Sequence, residues 1–374
     1  MKNAVISAYV RSPFTLARKG ALAKVRPDDL AAEVIRGLLA KVPVNKEEIE
    51  DLILGCAFPE GEQGLNVARL IGFIAGLPLT VAGTTVNRFC GSSMQAIAIA
   101  QGAIATGAGD AFIAGGVESM TRVPMMGFNP LPNPALYDSY PAAYMGIGET
   151  AENLAKKYKI SRAAQEELAV ASHQKAVKAQ NKGAFNDEII PIGDVKVDGC
   201  IRPDTSKKGL SELDPAFDKK GTVTAGTSSP LTDGSSAVLV TSEEYADKNK
   251  LPKLARIKSF AVAGCAPDIM GIGPVHASRK ALQRAGLKMA DIDIVELNEA
   301  FAAQAIPCIQ ELGIDPEKIN LDGGAIALGH PLGATGARIA GKAASLLKRE
   351  NKKYALATQC IGGGQGIAII LEKI

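Results

Sequence analysis

The chain has 374 residues, 47% apolar and 22% charged, with a formal net charge of +3. That length suits two or three domains with a sizeable core, and that composition excludes intrinsic disorder. The near balance of Lys and Arg against Asp and Glu argues against a nucleic-acid binder, and no apolar run reaches the ~20 residues that a membrane-spanning helix needs. The stretch from Met1 to Val10 lacks a signal-peptide apolar region, and Leu371 to Ile374 forms no lipidation or peroxisomal tail, so the cytosol is the expected compartment.

Taken in chain order, Asn3 to Val10 reads as a strand. Pro27 to Leu39 reads as a helix with Pro27 early and Asp28 and Asp29 in its first turn. Leu52 to Leu54 is a strand, Val67 to Ile74 a helix and Val81 to Asn87 a strand. An Ala-rich helix is expected from Cys90 to Ala105, then a strand from Ala111 to Val117. Met120 to Pro230 differs. It holds the Pro-rich run Asn129 to Pro134, a helix from Ser161 to Asn181, and a loop-rich, Lys-rich remainder. It reads as an inserted, mildly basic lobe.

The last 120 or so residues repeat the opening order. Strands are expected at Leu254 to Ala263, Ile294 to Leu297, Ile319 to Leu321, Tyr354 to Thr358 and Ile367 to Leu371. Helices are expected at Val275 to Ala285, Ala300 to Leu312 and Ala334 to Leu347. Asp51 to Phe58 also resembles Asp293 to Phe301 with one residue inserted. The expectation is an α/β protein of two related halves, with mixed, mostly parallel sheets and helices on the sheet faces. The domains would be 1–119 plus 231–252, the lobe 120–230, and 253–374.

Three segments carry candidate chemistry. Cys90 follows a strand and opens a helix, whose free N–H groups would lower its pKa; the segment alone equally fits a buried structural cysteine. His330 lies in the glycine-rich run Gly323 to Gly336, which is neither a P-loop nor a dinucleotide fingerprint. Cys360 precedes Gly362, Gly363 and Gly364, whose N–H groups suit an oxyanion, although a plain hairpin turn would read the same way. All three follow strands, where ligands of α/β sheets gather. Cys56, Cys200, Cys265 and Cys308 read as structural and His173 as a surface residue. No CxxC pair is present, so a zinc site or dithiol redox centre is not expected.

At these residues the chain resembles the thiolase family. The matching stretches are Asn87 to Met94, Gly115 to Met120, Gly221 to Gly234, Asn298 to Phe301, Gly323 to Arg338 and Cys360 to Gly366. The resemblance implies a layered fold of duplicated α/β halves with five-stranded sheets and an inserted loop domain. It implies reversible cleavage of 3-ketoacyl-CoA, or condensation of two acetyl-CoA, with coenzyme A as substrate and no cofactor or metal. Cys90 would be the acylated nucleophile, His330 its activator, and Cys360 the group that moves a proton at the acetyl α-carbon. Asn298 would hold a water that forms one oxyanion hole with His330, and the N–H groups of Cys90 and Gly362 a second. Ala225, Gly226 and Ser229 would lie along the pantetheine, Met145, Met270 and Phe301 around the acyl group, and Arg202 near the adenine. A homodimer or homotetramer is implied, with a hydratase/dehydrogenase subunit as a further partner. Tyr144 stands where the best-known short-chain biosynthetic thiolases carry a histidine.

Overall fold

The computed structural model describes residues 2–374. Among them, ten strands join in one mixed sheet: β1 (Ala4–Arg11), β2 (Thr15–Leu16), β3 (Asp51–Gly55), β4 (Ala82–Val86), β5 (Ala111–Ser119), β6 (Thr232–Ser242), β7 (Ala255–Gly264), β8 (Ile294–Leu297), β9 (Tyr354–Ile361) and β10 (Gln365–Glu372). The order is β4-β3-β5-β6-β1-β7-β10-β9-β8, with β2 paired to β6. β1 and β7 touch over only two residue pairs, Val5 with Arg256 and Ile6 with Ala255, so the sheet divides there into two halves.

The halves repeat one topology. Setting β2 aside and counting the Ile319 position as the third of the second half, in each the second strand lies beside the fourth, the fourth beside the fifth and the fifth beside the first. The expected strand at Ile319 would complete the repeat, but it is reduced to a single parallel bridge with Val295. Among the ladders, only β3 with β4, β3 with β5, and β8 with β9 are parallel. The other ladders are antiparallel, which corrects the expectation of mostly parallel sheets. A crossover helix returns the chain in the same direction, whereas the β9–β10 hairpin and the lobe before β6 reverse it.

Two helices form the central layer. Met94, Ile97, Ala100 and Ile104 of the Ser92–Thr106 helix pack with Ala337, Ile339, Ala340 and Ala343 of the Leu332–Arg349 helix, and strands of both halves close over them. Gly336 permits this contact, because a Cβ there would lie 2.3 Å from the Met94 backbone nitrogen. The Pro27–Lys41 and Val67–Ala75 helices cover the outer face of the first half. The Gly273–Ala285 and Ala302–Leu312 helices cover that of the second.

The lobe is tied down by buried ions. Arg11 is fully buried and donates Nη1 and Nη2 to Asp198 at 2.6 and 2.7 Å and Nε to Glu188 at 2.8 Å. Lys342 of the central helix meets the same Glu188 at 2.7 Å. Among the described residues, no helix is long and apolar enough to cross a membrane.

Candidate active site

Cys90 sits on a tight turn between β4 and the central Ser92–Thr106 helix. The helix opens at Ser92, two residues later than expected, with Gly91 at its N-cap. Phe89 has φ +44°, a left-handed conformation that strains a bulky residue. Its N–H donates to Asn87 Oδ1 at 2.8 Å, and its carbonyl accepts from Ser92 Oγ at 2.6 Å. This turn pushes Cys90 among Ala57, Met120 and Leu332.

The second half contributes the rest. Gln359 Nε2 donates to the Cys90 carbonyl, and Arg88 Nη1 donates to Gln365 Oε1 at 2.8 Å, so the β9–β10 hairpin is fastened to the Cys90 turn. The Gly362 N–H, at the hairpin tip, faces the Cys90 thiol. Cys360, at the end of β9, is buried beside Met270, Ala300 and Phe301. It therefore belongs to a hairpin and to the Cys90 neighbourhood at once.

Asn298 follows β8 and is held by its N–H, which donates to the Thr358 carbonyl at 3.0 Å. Its Nδ2 lies 3.3 Å from His330 Nε2, and its buried Oδ1 has no protein partner among the described residues. His330 precedes the Leu332–Arg349 helix. Its Nδ1 lies 2.6 Å from Thr335 Oγ1, and its N–H donates to Thr232 Oγ1 at 3.0 Å.

Electrostatics departs from the simple helix-end expectation. Burial pushes the Cys90 thiol up to about 12, and the Glu118 charge adds to this; the N–H groups of Gly362 and Cys90 oppose it. A free helix end favours a thiolate only where the sulfur keeps enough polar contact to offset lost water. Burial, aided by the Arg338 charge, lowers His330 to about 3, so the ring is neutral. Cys360 is raised well above the ordinary thiol range, first by burial and then by the Cys90 charge. The resting state is thus two neutral thiols and a neutral imidazole.

A cleft of about 780 Å³ opens above these groups. Arg202, Ala225, Ser228, Ser229, Phe217, Phe301 and His330 line it, with Leu16, Met120, Met125 and Leu332 on its apolar side. Met120 and Leu332 also pack on Cys90, so the thiol lies beneath the cleft floor. Ser229 donates both its N–H and Oγ to the Ala300 carbonyl, which joins the Ala225–Ser229 loop to the loop after Asn298. Gly226 faces away, toward Leu210 and Leu213 of the lobe, and does not line the cleft. Met145 is half-buried outside the lining, with Sδ accepting from Asn153 Nδ2 at 3.4 Å. Met270 lies under Phe301. Another cavity, of about 570 Å³, lies at the far end of the central helix beside Lys342 and Arg349 and touches none of these groups.

Several residues escaped the sequence reading. His173 is buried, not on the surface: its Nδ1 accepts the Arg202 N–H at 3.2 Å, and burial lowers it to about 4. Cys56 has a polar setting, 3.8 Å from Glu118 Oε1. Glu299 accepts from Ser172 Oγ and Asn320 Nδ2, both at 2.7 Å, and anchors the loop that carries Asn298. Glu118 and Glu299 each lie inside a motif stretch otherwise rich in small or apolar residues. A charge in such a setting is the available signal.

Known proteins agree with this architecture. The family model described as Thiolase, N-terminal domain, matches residues 4–244, and that described as Thiolase, C-terminal domain, matches 251–373. A Bacillus subtilis protein named 3-ketoacyl-CoA thiolase is 50% identical over 390 residues, with 100% of both chains covered. A Vibrio cholerae protein of the same name is 49% identical with the same coverage. The Bacillus anthracis acetyl-CoA acetyltransferase superposes with a TM-score of 0.92 at 39% identity, and the human mitochondrial 3-ketoacyl-CoA thiolase with 0.91 at 37%. Each of these covers 100% of this chain and 99% of its own. The two family models together span both halves of the fold, and the chain belongs to the thiolase family.

Proposed function

We propose that this chain cleaves 3-ketoacyl-CoA reversibly by thiolysis to acetyl-CoA and an acyl-CoA two carbons shorter, or condenses two acetyl-CoA by the same chemistry. The observation that carries the reading is the meeting of parts from distant sequence: the Gly362 N–H on the Cys90 thiol, and His330 in the cleft wall with Asn298 against its ring.

In this reading the Cys90 thiol gives its proton to His330 Nε2 as the sulfur attacks the 3-keto carbon. The bond between the α-carbon and the carbonyl carbon breaks, leaving the acyl group on Cys90. The departing electron pair becomes an acetyl-CoA enolate, which takes a proton from Cys360. Coenzyme A then attacks the thioester and releases Cys90, which takes its proton back from His330, and the coenzyme A thiol proton restores Cys360. The N–H groups of Cys90 and Gly362 steady the thioester oxygen. His330 and a water donating to Asn298 Oδ1 steady the enolate. Arg202 faces the nucleotide end of coenzyme A, Ala225 and Ser229 its pantetheine, and Phe301 and Met270 the acyl side.

A second copy of the chain completes the molecule in this reading. β4 is an edge strand with its side chains partly exposed, and Leu65, Phe73 and Leu79 lie bare around its neighbouring helix. Such an edge is covered in a stable protein.

Mass spectrometry of enzyme quenched with acyl-CoA tests the reading. The acyl mass is expected on the peptide containing Cys90. Label on Cys360 alone, or no thiolysis of acetoacetyl-CoA, overturns it.

A further inference from the structure

Glu118 has no part in the steps above, yet its carboxylate joins the two halves directly behind the reacting groups. It lies at the end of β5, buried to 1% exposure. Its Oε2 accepts from the N–H groups of Ala57 and Gly333, both at 2.8 Å. Its Oε1 accepts from Gln63 Nε2 at 2.8 Å and the Phe58 N–H at 3.3 Å. Burial pushes this carboxyl up from its ordinary value, and the four donors work against that shift.

The two ends of this strut matter. Ala57 packs on Cys90, and its carbonyl accepts from Asn87 Nδ2, whose Oδ1 in turn fixes the strained Phe89. Gly333 lies in the first turn of the helix that begins just after His330, and a Cβ there would lie 2.8 Å from Glu118 Oε2. One side chain thus meets the turn behind the nucleophile and the helix behind the imidazole.

We propose that Glu118 is a positioning residue, whose carboxylate sets the Cys90 turn and the His330 helix at reacting distance across the boundary between the halves. The proposal rests on Cys90 and His330 acting as described above. Its charge also bears on Cys90, working against the thiolate. Cys360 is coupled to Cys90 in the same way, Cys56 touches Glu118, and His330 faces the cleft above.

Glu118→Gln and Glu118→Asp test it. In thiolysis of acetoacetyl-CoA, Glu118→Gln is expected to lower kcat about 10²-fold, as a misplacement near 1 Å does, with KM for coenzyme A unchanged. Without substrate, alkylation of its Cys90 by iodoacetamide at fixed pH is expected to quicken about tenfold, because one buried like charge has been removed. Glu118→Asp keeps the charge but is shorter, so it should alkylate at the wild-type rate and still lose kcat. Wild-type kcat in folded Glu118→Gln, a loss carried by KM alone, or unchanged alkylation overturns the proposal. If Glu118→Gln does not fold, Glu118→Asp decides it, and wild-type kcat there overturns it. Failure of the Cys90 reading shows separately, as a missing acyl mass in the unaltered chain.

Discussion

Thr335 Oγ1 lies 2.6 Å from His330 Nδ1, and the Thr335 hydroxyl donates to the Pro331 carbonyl at 3.1 Å. With its own hydrogen committed, Thr335 can only accept from the ring. The proton therefore sits on Nδ1, and Nε2 turns a lone pair toward Asn298 and the cleft. Thr335→Val, nearly the same shape, should free the other tautomer and lower kcat about 10²-fold with KM for coenzyme A unchanged. Thr335→Ser should restore most of the rate. Steady-state thiolysis kinetics of both variants check this, and a serine as slow as the valine would argue against tautomer control.

Two buried histidines make stability pH-dependent. His330 is lowered to about 3 and His173 to about 4, whereas in the unfolded chain each titrates near 6.5. Below 6.5 the unfolded state binds more protons than the folded one. Stability is thus unaffected by these groups above about pH 6.5 and falls as pH drops toward 4, by up to about 1.4 kcal/mol per pH unit for each. Urea unfolding at pH 7, 6 and 5 measures this slope. His173→Gln, which keeps an acceptor for the Arg202 N–H, should make it shallower.

In the proposed mechanism Cys90 and Cys360 separate by reaction half. Acyl transfer from acetyl-CoA to Cys90 requires no proton movement at carbon, whereas condensation does. Cys360→Ser should still become acetylated but lose about 10²–10⁴ of condensation and of α-proton exchange. Cys90→Ser should lose acetyl transfer itself, since a hydroxyl is a poor nucleophile at neutral pH. Quenched-flow mass spectrometry and deuterium exchange at the acetyl methyl distinguish the two. Condensation near the wild-type rate in Cys360→Ser would reduce Cys360 to a hairpin residue.

Arg202 lines the cleft, and His173 holds its backbone. Coenzyme A carries anionic phosphates at its nucleotide end, and an Arg facing them supplies charge-assisted hydrogen bonds. Arg202→Ala should raise KM for coenzyme A about tenfold while leaving turnover of a truncated pantetheine thioester unchanged. Equal losses on both substrates would assign Arg202 a structural role.

The sequence by itself determined most of the elements and flagged the candidate chemistry-bearing positions, because both are local; β6 and the Ile147–Lys157 helix were not read from it. Apolar periodicity marked β3, β4 and β5 and the helices between them, and glycine-rich turns flagged His330 and Cys360. Cys90 was legible as a residue between strand and helix. Its acidity was not, since that depends on how much water the folded chain removes and on Glu118, 28 positions further along the chain. The antiparallel share of the sheet also escaped, because strand direction is decided by the partner a strand finds and not by its own residues. His173 looked like a helix surface residue until the Arg202 loop folded over it. Above all, the Asn298–His330 contact and the Gly362 N–H on Cys90 exist only in three dimensions. They come from loops of both halves, and only the packing of two central helices against each other brings those loops to one cleft.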